Sequence, residues 1–211
     1  DMLGERGLWF KMSFYERSAR VPLMISAPEL SPGMIDTPVS TIDVCPTLCD
    51  LVGIDMDAVL PWTTGESLLP LARGEPRASP VLMEYAAEGS YAPLVAIRSG
   101  RYKYVRCTLD PEQLFDLEND PHERENLAGQ PEHAKALETL RNEADQRWDL
   151  ETFDAEVRRS QARRLVVYGA LRSGDYYPWD YQPLQQASER YMRNHMDLNI
   201  LEESQRFPRG E

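Results

Sequence analysis

Between residues 81 and 117 the hydrophobic period changes, and this change constrains the fold more than any other feature of the chain. Four short runs, 81–86, 94–99, 102–107 and 112–117, are apolar or alternate apolar with polar residues. A period of two is the pattern of a half-buried strand. Ser99-Gly100 and Asp110-Pro111 separate runs, Gly accepting positive φ and Pro arriving with φ already set. The stretch predicts a small antiparallel sheet of four strands. A helix is predicted over 131–148, with Pro131 opening it, Glu132 in its first turn and Ala134, Leu137, Ala144 and Trp148 at helical spacing.

The preceding part reads as α/β. Val21-Pro22-Leu23-Met24-Ile25 has the unbroken apolar character of a buried parallel-sheet strand. Before it lies a loop in which Lys11 stands between Trp9-Phe10 and Phe14-Tyr15, followed by Glu16 and Arg20. A lysine on a loop beside an interior strand is placed where α/β proteins hold anions. Residues 28–38 form a Pro- and Ser-rich loop. A helix follows over 41–52, capped by Thr41 or Asp43 and closed by Gly53, with Pro46 in its first turn. Ile42, Cys45, Leu48, Cys49 and Val52 form one stripe, so this helix is predicted to cover a sheet. Residues 58–79 are punctuated by Pro61, Gly65, Pro70, Gly74 and Pro76 and read as a surface connection anchored by Ser67-Leu68-Leu69.

From residue 153 the composition shifts. Residues 157–171 read as a helix whose Arg158, Arg159, Arg163 and Arg164 pair with Glu151, Asp154 and Glu156. Four aromatics, Tyr176, Tyr177, Trp179 and Tyr181, then crowd six residues, and a second helix is predicted over 184–196. The organisation expected is 1–78, 79–152 and 153–211. A net charge of −12 argues against nucleic acid and anionic membranes as partners. No apolar run of about 18 residues is present to span a membrane. Cys45, Cys49 and Cys107 have no zinc-type pairing, read as core thiols and, if reduced, place the protein in the cytoplasm. The chain opens on Asp1 rather than Met, which leaves the natural start open. His122, His133 and His195 have no Ser or Cys partner in a recognisable arrangement, so a Ser-His-Asp hydrolase is unsupported.

Leu3-Gly4-Glu5-Arg6-Gly7-Leu8-Trp9-Phe10-Lys11, Glu16 and Arg20-Val21-Pro22-Leu23 resemble the segment that follows the metal-binding turn of the type I sulfatases, in the alkaline phosphatase-like superfamily. Ser40 to Leu48, Ala96 to Tyr104, Glu112 to Pro121, Glu123 and Asn126-Leu127-Ala128 continue the resemblance. It implies the C-terminal part of an α/β sulfatase fold, with a small antiparallel sheet and helix subdomain and a helical C-terminal extension. It implies that Lys11 contacts sulfate. Such enzymes use a formylglycine made within Cys/Ser-x-Pro-x-Arg, and one divalent metal (calcium, with manganese or magnesium as alternatives). No such motif occurs in the 211 residues. By the same resemblance Asp1 follows the metal motif without ligating, so the metal ligands are expected mostly outside this chain.

Tyr168 to Leu171, Trp179 to Pro183 and Ser188 to His195 resemble the C-terminal extension of choline sulfatases, which implies hydrolysis of choline O-sulfate to choline and sulfate. A trimethylammonium group is met by aromatic faces and a nearby anion. By the resemblance Glu88 is that anion, while the bare sequence also allows an ordinary loop carboxylate. Asp197 and His195 are candidates to reach a neighbouring subunit's cleft. The aromatic cluster fits a choline cage or, more simply, interface packing in a homo-oligomer built through the extension. The alternatives are another sulfatase or a phosphonate monoester hydrolase, or a noncatalytic assembly module if the chain stands alone.

Overall fold

A computed structural model of the chain describes residues 1–173 apart from 29, 60 and 88. The chain divides into two units, Asp1–Arg158 and Arg159–Glu211. In order, the elements are strands β1 (Met2–Leu3) and β2 (Trp9–Phe10), and helices α1 (Glu16–Ala19), α2 (Val44–Leu51), α3 (Met56–Val59) and α4 (Leu69–Ala72). Strands β3 (Val81–Tyr85), β4 (Leu94–Ser99), β5 (Tyr102–Cys107) and β6 (Gln113–Asp116) follow, then helices α5 (Ala134–Arg147) and α6 (Leu150–Arg172).

Strands β3 to β6 pair antiparallel in chain order, as their alternation predicts. The link between β4 and β5 is two residues long, because Ser99 pairs with Tyr102. Gly100 supplies the positive φ such a link needs, at 52°. Leu82 lies opposite Ile97, Ile97 opposite Tyr104, and Tyr104 opposite Leu114. These residues share one face, where α5 closes a core with Leu137, Leu140 and Ala144. A polar cluster lies beside that core. The Tyr104 hydroxyl donates to Glu112 at 2.6 Å, and the Arg141 guanidinium grips the same carboxylate at 2.6–3.1 Å. The hydrogen bonds from Arg141 hold the Glu112 carboxyl below its ordinary value of 4.5, and burial pushes the Tyr104 phenol up.

The helix read over 41–52 is present, but its buried face is the opposite one. Ile42, Leu48 and Val52 face solvent, Cys45 is exposed and Cys49 half-buried. Asp43, Pro46 and Thr47 are buried instead. The cap is Ser40, which forms a capping box with Asp43. The reason lies in the connection that follows. Asp43 accepts from the Glu66 amide at 3.0 Å and pairs with Arg77 at 3.0 Å, while Thr47 accepts from the Leu68 amide at 2.9 Å. These bonds lay residues 63–69 across the polar face and bury Leu68 and Leu69. Gly65 passes so close that a Cβ there would meet the Ile42 carbonyl oxygen at 2.3 Å.

The strand read over 21–25 is not formed among the described residues. These residues have no strand conformation, pair with no strand among the described residues and are exposed, Met24 at 92%. An interior parallel strand needs neighbours on both edges, and the described residues offer none. In α6 the predicted charge pairing is seen at Arg158, whose Nε lies 2.7 Å from Asp154. No helix among the described residues is long and apolar enough to cross a membrane.

Two predictions follow from these contacts. Gly65→Ala should lower stability by about 1–3 kcal/mol, since the added methyl meets backbone rather than a yielding side chain; a fall in Tm reads it. Because the folded Glu112 carboxyl sits below 4.5, its stabilisation is complete above that pH and is lost as pH falls toward the lowered folded value. Arg141→Met should therefore flatten the acid limb of the stability curve below pH 4.5, measured by denaturation at stepped pH.

Candidate active-site segment

Strands β1 and β2 form a short hairpin, with Met2 opposite Phe10 and Leu3 opposite Trp9. Its turn is tied locally. The Gly4 amide donates to Leu8 O at 3.0 Å, and the Leu3 amide donates to the Glu5 carboxylate at 2.6 Å. That backbone bond leads the causes that hold the Glu5 carboxyl below its usual range. Gly4 and Gly7 take positive φ, so glycine at both positions fits the turn.

At the far end of the hairpin, Phe10 adopts φ 67°. A bulky residue in the left-handed region is an outlier, and such strain gathers at functional positions. The next residue is Lys11. Its side chain is 74% exposed, and its ammonium lies 3.5 Å from an Asp1 oxygen. An ion pair this exposed contributes about 0–1 kcal/mol, so the ammonium is free to exchange Asp1 for a competing oxyanion. The predicted cation thus stands beside a positive-φ residue, exposed and loosely paired with Asp1.

Residues 12–16 then leave the hairpin and cross the sheet face opposite α5. Here lies a feature the sequence reading missed. Lys103, on β5, is fully buried, and its Nζ reaches Phe14 O at 2.6 Å, Glu16 Oε1 at 2.7 Å and Glu123 Oε1 at 2.6 Å. The second Glu123 oxygen accepts from the Glu16 amide at 2.7 Å. Glu123 itself has φ 55°. Arg6 donates to the His122 and Glu123 carbonyls and lies 4.3 Å over the Tyr15 ring, while Tyr15 packs on Phe115 with centroids 6.1 Å apart. Behind residues 12–15, against Val105, Gln113 and Phe115, is a cavity of about 370 Å³. The available signal was Lys103 itself: a charge at a strand position whose neighbours across the ladder, Arg98 and Phe115, put it on the inward face.

Glu88, Asp197, His195 and the aromatic cluster from Tyr176 to Tyr181 lie outside the described residues. His133 packs edge-on against Tyr102, and the His122 carbonyl serves Arg6. Among the described residues no group of three or more His, Cys, Asp or Glu could hold a metal ion. What these residues supply is a cation and the framework that holds it.

Residues 4–149 match the family described as N-sulphoglucosamine sulphohydrolase, C-terminal, and residues 155–207 match the family described as choline sulfatase enzyme C terminal. The choline-sulfatase of Rhizobium meliloti (strain 1021) is 65% identical over 214 residues, covering 100% of this chain and 42% of the relative. The delta 4,5-hexuronate-2-O-sulfatase of Bacteroides thetaiotaomicron is 34% identical over 148 residues, 64% of this chain and 30% of the relative. A solved structure from the same species, of a protein assigned as a sulfatase, aligns with a TM-score of 0.53 at 35% identity, covering 64% of this chain and 31% of that one. The chain spans less than half the length of these curated relatives.

The turn at Phe10 yields a prediction. Glycine tolerates φ 67° and a β-branched residue does not, so Phe10→Val should be less stable than Phe10→Gly by about 1–3 kcal/mol. Paired thermal unfolding of the two variants measures the difference.

Proposed function

Because the chain belongs to the sulfatase family, through the C-terminal family model that matches residues 4–149, we propose that it is the C-terminal part of an enzyme hydrolysing choline O-sulfate to choline and sulfate. The observation that carries this reading is the 65% identity to a choline-sulfatase over the whole chain, with the extension at 155–207 included. The strained presentation of Lys11 supports it independently.

A sulfate ester carries a tetrahedral anionic head, and charge grows on its oxygens as the ester bond breaks. Lys11 binds the nonbridging oxygens and stabilises that charge. Its ammonium exchanges the weak Asp1 contact for the sulfate, at little cost in solvent-exposed surroundings. The choline end is met by Glu88, a carboxylate beside the quaternary ammonium, with Asp197 contributing from the extension. The family's formylglycine and divalent metal, calcium by first choice, supply the nucleophile and a Lewis acid; in this reading both are held by the rest of a longer protein.

Residues 1–78 then form the end of the catalytic α/β domain. Exposed Leu23, Met24, Met34, Val52 and Trp62 support this, since so much apolar surface in one stretch marks an interface. Residues 79–152 form the C-terminal sheet and helix subdomain, and 153–211 the choline-sulfatase-type extension. Exposed Leu165, Val166, Val167 and Leu171 on α6 support subunit contacts through that extension. The three free cysteines fit a cytoplasmic enzyme.

In the full-length protein, Lys11→Ala should lower kcat/KM for choline sulfate by about two or more orders of magnitude. Wild-type turnover in steady-state assays would remove Lys11 from the site. Glu88→Gln should weaken choline sulfate much more than an aryl sulfate with no positive charge. Equal losses on the two substrates would remove Glu88 from choline recognition.

A further inference from the structure

We propose that Lys103 is a positioning residue for ester hydrolysis, holding residues 14–16 against the sheet so that Lys11 meets the sulfate. The inference rests on the role of Lys11 proposed above. Three parts of the chain converge on the Lys103 ammonium: the carbonyl of Phe14, the carboxylate of Glu16 and the carboxylate of Glu123. Lys103 donates to Phe14 O and Glu16 Oε1 and forms an ion pair with Glu123 Oε1 at 2.6 Å. Glu123 completes the loop by accepting from the Glu16 backbone.

Packing fixes this segment only in part: Tyr15 packs on Phe115, but residues 12–15 also line a half-open cavity of about 370 Å³. A void on one side removes the van der Waals contacts that would resist movement. The segment is held at its Phe14–Glu16 end by charge-assisted bonds, and these are directional. Phe14 is three residues from Lys11, a reach of at most about 10 Å, so a shift at the anchor is passed on to the ammonium. A buried ion cluster is a poor source of net stability against apolar residues of similar volume. Its use here is to set a position. A misplacement of about 1 Å at a reacting group can cost about a hundredfold in rate.

The test uses the full-length enzyme with Lys103→Met, Glu16→Ala and Lys11→Ala, singly and combined. Glu16 is partly exposed, so its variant keeps the question open to measurement if Lys103→Met does not fold. Lys103→Met should lower kcat on choline sulfate about a hundredfold and Glu16→Ala about tenfold, with KM changing less. Amide exchange across residues 10–20 should accelerate in both. In the Lys11→Ala background neither should lower kcat further. Losses that multiply with that of Lys11→Ala would overturn the positioning role while leaving Lys11 in place. So would faster exchange at wild-type kcat, or lost activity without faster exchange. Wild-type turnover in Lys11→Ala alone would instead sink the reading of Lys11, and the positioning role with it.

Discussion

An ammonium with no exposure to solvent has to be surrounded by acceptors, and in this chain that requirement organises one whole side of the sheet. Lys103 draws in a backbone carbonyl and two carboxylates from segments far apart in sequence. Losing one partner of such a cluster leaves uncompensated charge in the interior, at a cost of about 3–5 kcal/mol. Because Glu123 also holds the Glu16 amide, the cluster fixes backbone as well as side chains. Arg6 adds a further tie by gripping the His122 and Glu123 carbonyls from the turn of the hairpin.

The two faces of the four-stranded sheet thus do different work. Toward α5 the face is closed by aliphatic packing around Ile97, Tyr104 and Leu114, supplemented by the Glu112–Arg141 pair. That side is self-contained within residues 81–148. Toward the N-terminal segment the face carries charge and leaves a cavity. Apolar packing is non-directional, whereas the charge-assisted bonds of the opposite face specify where a particular stretch of chain must sit.

The sheet was legible because its strands alternate and its turns contain Gly100 and Pro111, local signals that tertiary context did not override. α5 was legible for the same reason, through the spacing of Leu137 and Ala144. The misreadings share a cause. Residues 21–25 have the composition of an interior strand, but composition does not provide the neighbours that pair with it. The stripe Ile42–Leu48–Val52 is the more apolar side of its helix, yet hydrogen bonds from Glu66, Leu68 and Arg77 to Asp43 and Thr47 decided which side was covered. At the site, Lys11 could be recognised by its place in a sulfatase-like string of residues. Lys103 could be picked out only as a charge on an inward strand position; its partners Glu16 and Glu123 lie 87 and 20 positions away, and periodicity says nothing about such pairings.

Those separations bear on the order in which the molecule assembles. Each strand of the meander pairs with its immediate successor, and contacts of that kind form early because little chain must be closed to make them. The bonds from Glu16 to Lys103 and Glu123 close spans of 87 and 107 residues. They require β5 and the turn after β6 to be in place already. The hairpin segment, although it precedes the sheet in the chain, is therefore expected to lock after it, and Lys11 takes its final setting only once a scaffold made later in synthesis exists to receive it.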